Sequence, residues 1–89
     1  MDLPPGHLVV LAAMTWPDPG PPSGLDSVAL AICRRLPTLT PAHAAEVLRQ
    51  TNALGLTNVP DVDGMVAPEE TADLTKWITG EGWKTLRPE

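Results

Sequence analysis

The chain has 89 residues, 43% of them apolar and 19% charged, with a formal charge of −5. That size allows one small domain, residues 1–89, whose core leaves only a few kcal/mol of net stability, and the composition is that of a globular rather than a disordered protein. A single cysteine excludes an internal disulfide, and the acidic balance works against electrostatic attraction to nucleic-acid phosphates or anionic lipid.

The start, Met1-Asp2-Leu3-Pro4-Pro5, is acidic and proline-bearing, and the apolar run Leu8 to Met14 is about a third of a membrane span. No targeting segment is expected, and the expected address is the cytoplasm. Gly6 to Trp16 reads better as a helix than as a buried strand, because Leu, Ala and Met dominate its second half and Pro17 forces Trp16 out of helical backbone. Val9 and Val10 keep the strand alternative open.

Residues 17–24 hold four prolines and two glycines and form an internal loop. A stiff connector is the plain reading, and a ligand for a proline-binding module is the other. From Leu25 to Leu36 the pattern predicts a helix, with Ser23 or Asp26 near its start, Leu25, Val28, Ala29, Ile32 and Leu36 as its apolar stripe, and Arg34 and Arg35 in its last turn. Pro37 stops it.

The next helix is the best delimited. Thr40 is an N-cap, Pro41 takes the first helical position where its missing N–H costs nothing, and Gly55 ends the run. Ala44, Val47, Leu48, Thr51 and Leu54 share one face, and Ala42, His43, Glu46, Arg49, Gln50 and Ala53 the other. Leu56 to Val59 and Gly64 to Ala67 then read as a small β-hairpin across the Asp63-Gly64 turn signal. A last helix is expected from Pro68 to about Thr79, closed by Gly80, with Glu69, Glu70 and Asp73 near its positive end. Residues 81–89 are expected as a partly ordered tail. The expected core is Leu8, Val10, Leu11, Ile32, Val47, Leu48, Leu74, Trp77 and Ile78.

This order of helix, helix, turn, helix, hairpin and helix, with the run Leu39-Thr40-Pro41-Ala42 to Ala53-Leu54-Gly55-Leu56, resembles the winged helix-turn-helix superfamily. The resemblance implies a mostly α fold with a small β-hairpin, in which residues 25–36 form the supporting helix, 41–53 the recognition helix and 57–67 the wing. It places Ala42, His43, Ala45, Glu46 and Arg49 at base-reading positions. The residues there depart from DNA-reading chemistry, since alanine donates nothing and a carboxylate repels phosphate. The wing carries Asp61 and Asp63 and no cation.

No chemistry-bearing constellation stands out. His7 and His43 have no Ser, Cys or paired carboxylate at triad or metal-ligand spacing, so neither an enzyme nor a metal or cofactor site is expected. Cys33 reads as a packed thiol. Asp61-Val62-Asp63-Gly64 starts like a calcium loop but lacks the third early ligand, and a turn is the better reading. Trp77 and Trp83 are needed as core in a chain without Phe or Tyr.

From Gln50 to Thr75 the charged residues are Asp61, Asp63, Glu69, Glu70 and Asp73, with no basic residue among them. The expected function is therefore that of a small acidic protein-interaction domain, an adaptor or inhibitor that meets a basic partner through those five carboxylates in place of nucleic acid. The alternative is a dimeric DNA-binding transcription regulator, with Arg34, Arg35, His43, Glu46, Arg49 and Gln50 from two copies on one surface. The two readings divide on whether a continuous basic strip exists.

Overall fold

The computed structural model describes residues 5–20 and 23–87. Parts of the loop at 21–22, the start at 1–4 and the tail at 88–89 lie outside the described residues. The elements are helices α1 (Pro5–Ala13), α2 (Val28–Arg35), α3 (Pro41–Ala53), α4 (Pro68–Thr71) and α5 (Gly80–Leu86), with a 3₁₀ turn at Thr75–Trp77.

Pro5–Ala13 is helical, which decides the helix-or-strand question left by Val9 and Val10. After Ala13 the backbone tightens, with Thr15 and Trp16 N–H donating to the carbonyls of Ala12 and Ala13, before Pro17 ends it. Helix α2 starts three residues later than the apolar pattern suggests, because Ser27 caps it by accepting from Leu30 N–H. Leu25 therefore leaves the stripe and is 66% exposed.

Helix α3 has the expected ends. The Thr40 hydroxyl accepts from His43 N–H, and the helix closes with Gly55 at φ 78°. Leu56 N–H donates to Thr51 O and Gly55 N–H to Asn52 O, the paired bonds of a Schellman close. Its inner face, Ala44, Val47, Leu48 and Thr51, is buried, and Ala45 is buried as well, whereas Leu54 is 41% exposed.

The β-hairpin does not form, and the winged-helix-like fold class expected from it is corrected. Among the described residues there is no strand or sheet, only two isolated antiparallel bridges, Asp26 with Val66 and Thr57 with Ile78. The physical reason lies in helix α3. The Asn52 side chain accepts from Val59 N–H and donates to Val59 O, while Asn58 N–H donates to Trp77 O and Thr79 N–H to Leu56 O. The backbone groups that would zip 56–59 to 64–67 are thus engaged elsewhere, and Pro60 has no N–H to offer.

The expected helix from Pro68 to Thr79 is also interrupted. The Asp73 carboxylate accepts from both the backbone N–H and the hydroxyl of Thr75, a local bond that competes with helix continuation. Gly80 then opens a helix instead of closing one, since Thr79 caps α5 by accepting from Gly82 N–H. The tail is helical through Leu86.

The core gathers Val10 and Leu11 from α1, Met14 from the turn that follows it, Val28 and Ile32 from α2, the inner face of α3, and Leu56, Val59, Val62, Leu74 and Ile78 from the connecting segments. Of the expected core, Leu8 is 41% exposed, and Trp77 is only partly buried against the cluster.

Candidate functional site

Two groups of charged residues were expected to carry function, and the fold treats them oppositely. Arg34 and Arg35 close the short helix α2, and both turn inward. Arg34 donates to Asp18 on the loop after α1 and to Asp26 just before α2, with Nη2 2.7 Å from a carboxylate oxygen of each. Asp26 is 1% exposed and also accepts from the Thr71 hydroxyl of α4. The Arg35 side chain is fully buried and donates to the carbonyls of Trp16, Ala31, Thr71 and Ala72.

The two arginines therefore pin the proline-rich loop, the start of α2 and the end of α4 to one another. The hydrogen bond from Arg34 holds the Asp18 carboxyl below the ordinary carboxylate range. Burial pushes Asp26 upward, but the bonds from Arg34 and Thr71 outweigh it and the net direction is also down. Arg34 is correspondingly raised, chiefly by its bond to Asp26, while burial lowers Arg35. This interior network is what the sequence reading missed. Asp18 and Asp26, eight residues apart and both before an Arg-Arg pair, were its visible trace.

The remaining residues proposed for DNA contact lie on the outer face of α3 but do not make a basic strip. His43 and Glu46 are exposed. Arg49 is tied to Asp63 in an exposed ion pair, and Gln50 bonds the His7 ring of α1. Ala45, assigned a base-reading position, is 2% exposed and belongs to the core.

The five carboxylates proposed for partner contact are all exposed and lie along the connector from α3 to α4 and just beyond it. Asp61 accepts from Asp63 and Gly64 N–H and so builds the turn there, which is what the calcium-like spacing serves. Glu70 pairs with Lys76 at 3.0 Å. Among the described residues no three His, Cys, Asp or Glu side chains converge as a metal cluster.

Within this acidic stretch lies a feature that periodicity does not reveal. The Asp26–Val66 bridge, with both N–H groups donating across it, sets Ser27 opposite Met65 and Leu25 opposite Ala67. Leu25 and Met65 thus stand on the side of the bridge opposite Asp26, at 66% and 56% exposure.

Comparison with known proteins was made by sequence and by structure. No family model, curated protein or solved structure matches the chain. Among the described residues no helix is long and apolar enough to cross a membrane.

Proposed function

We propose that the chain is a small helical protein-contact domain whose working surface is the acidic connector from α3 to α4 together with Leu25 and Met65. The observation that carries this reading is the unequal use of charge. Arg34 and Arg35 are consumed by Asp18, Asp26 and backbone carbonyls, while Asp61, Asp63, Glu69, Glu70 and Asp73 remain on the surface, Asp63 and Glu70 in exposed pairs with Arg49 and Lys76, and the exposed Leu25 and Met65 lie next to the bridge that joins this connector to the start of α2. A partner segment that combines basic and apolar residues fits such a surface, its apolar side chains supplying burial and its charges orientation. The dimeric DNA-binding alternative loses its support at the same point, because half of the cations it needs from α2 and α3 face the core.

A titration followed by amide NMR tests the reading, using a basic amphipathic helical peptide and, separately, a randomised duplex pool at low salt. The peptide is expected to move the signals of Leu25, Gly64, Met65 and Ala67, with weaker binding as salt rises, and the duplex to move none. Retention of the duplex with shifts along α3 would overturn the proposal, as would a peptide response that ignores residues 61–73.

A further inference from the structure

An open cleft of about 450 Å³ lies between the last turn of α1 and helix α5, walled by Ala12, Thr15, Thr75, Trp83, Leu86 and Arg87. Its volume is in the range of small-molecule sites, roughly 300–1,000 Å³. Ala12, Trp83 and Leu86 are half-buried and supply its apolar walls. The Thr15 hydroxyl donates to Ala12 O and the Thr75 hydroxyl to the Asp73 carboxylate, so both can only accept from a ligand. Arg87 is the one charged residue of the lining, and its guanidinium lies over the Trp83 ring, 5.4 Å from the centroid.

The other cations of the chain are already engaged. Of its 6 Lys and Arg side chains, Arg34 and Arg35 face Asp18 and Asp26, Arg49 pairs with Asp63, Lys76 with Glu70 and Lys84 with Glu81. Arg87 has no carboxylate partner among the described residues, although the chain carries 11 carboxylate side chains. Stacking on the indole holds a guanidinium in one plane, and the N–H groups along its edge still need acceptors.

We propose that this cleft binds a small carboxylate with a compact apolar body, the carboxylate on the Arg87 guanidinium and the body against Ala12, Trp83 and Leu86. Charge and shape select the occupant together. A bare inorganic anion leaves the apolar walls wet, and a neutral apolar molecule leaves the guanidinium without an acceptor. The net charge of −5 opposes an anion at long range, but charges more than about 8 Å away are screened at physiological salt, whereas Arg87 meets the ligand in direct contact. Asp73 is the carboxylate bound to a lining residue, and it accepts from both the N–H and the hydroxyl of Thr75. The cleft is open and the ligand small, so a dissociation constant on the order of 1 mM follows for a molecule of about a dozen non-hydrogen atoms.

Titration of the full chain with cinnamate, followed by amide and indole NMR, tests the proposal, with neutral cinnamamide and inorganic phosphate as separate arms. Cinnamate is expected to shift the amides of Thr15, Thr75, Leu86 and Arg87 and the Trp83 indole in a saturable way. Cinnamamide should act on the same residues about five- to tenfold more weakly, and phosphate should give no saturable shift. Arg87 is exposed at the end of α5, so Arg87→Gln should keep the helical circular dichroism of the parent. That variant should reduce cinnamate to the affinity of cinnamamide and leave cinnamamide unchanged, and Ala12→Leu, which fills the cleft, should weaken both. The cleft shares no residue with the acidic connector, so a basic peptide that moves residues 61–73 and a carboxylate that moves the cleft succeed or fail separately. Equal affinity for cinnamate and cinnamamide, phosphate binding as strong as that of cinnamate, a cinnamate response that survives Arg87→Gln, or no response in the cleft up to about ten times the expected dissociation constant would overturn the proposal.

Discussion

Single residues show where this small fold has no tolerance. Gly82 sits in α5 against the chain at Leu56, and a Cβ built there would lie 2.2 Å from Leu56 O and 2.8 Å from Ile78 Cγ2. Alanine normally favours a helix over glycine by about 1 kcal/mol, but overpacking costs about 1–3 kcal/mol, and a backbone carbonyl cannot swing aside. Gly82→Ala is therefore expected to lower the urea midpoint, whereas Gly80→Ala, with nothing within 4 Å, is expected to leave it unchanged or raise it. Asp26 is the other intolerant position. Asp26→Ala removes one of the two carboxylates that hold Arg34 and a buried acceptor for Thr71, while Arg34 keeps Asp18, and a loss of about 1–3 kcal/mol in unfolding free energy is expected from equilibrium denaturation. Nothing in the sequence around Gly82 announces its contact, because the partner is a carbonyl 26 positions earlier in the chain.

At the scale of elements, helix ends and connectors behaved differently. The ends of α3 were legible because capping is local: Thr40, Pro41 and Gly55 act on backbone groups within a few residues of themselves. Gly55 holds φ 78°, where an L side chain is disfavoured by about 1–2 kcal/mol, so Gly55→Ala should destabilise the protein by that amount in thermal or urea unfolding. The hairpin was a wrong expectation for a reason that also concerns range. The turn chemistry at Asp61 to Gly64 is real, but the flanking segments found better partners in Asn52, Trp77, Ile78 and Asp26 than in each other. Likewise the long last helix divided where Asp73 bonded Thr75 and Ile78 was drawn to Thr57. The acidic connector belongs to this scale as well. Its charges could be counted from the sequence, but the placement of Leu25 and Met65 on the same side of one bridge needed the fold.

For the whole molecule the internal ion network predicts how stability responds to acid. Asp18 and Asp26 have carboxyls held below their ordinary range in the folded state, by the Arg34 hydrogen bond at Asp18 and by the Arg34 and Thr71 bonds that overcome burial at Asp26. A group with a lowered folded value contributes stability that is complete above the unfolded carboxylate range and is lost as pH falls through the folded value. Urea midpoints should thus be nearly level from pH 7 to about 5 and fall steeply below about 4, and Asp18→Asn should flatten that fall while lowering the plateau. A parent protein whose midpoint does not change between neutral pH and pH 3 would contradict the network.

By itself the sequence determined a small, mainly helical chain, the limits of α3, the burial of Val10, Leu11, Ala44, Val47, Leu48 and Thr51 but not the exposure of Leu8 and Leu54, and an excess of carboxylate after Gln50. Those properties depend on composition and on neighbours within a turn or two, where spacing and capping act directly. Only the tertiary structure decided which charges face solvent. Arg34 and Arg35 look like surface cations at a helix end, and become interior ties because Asp18, Asp26 and the carbonyls of Thr71 and Ala72 are carried to them by the loop after α1, the bridge to Val66 and the end of α4. Burying a guanidinium is tolerated only where acceptors converge on it, and that convergence comes from segments far apart in the chain.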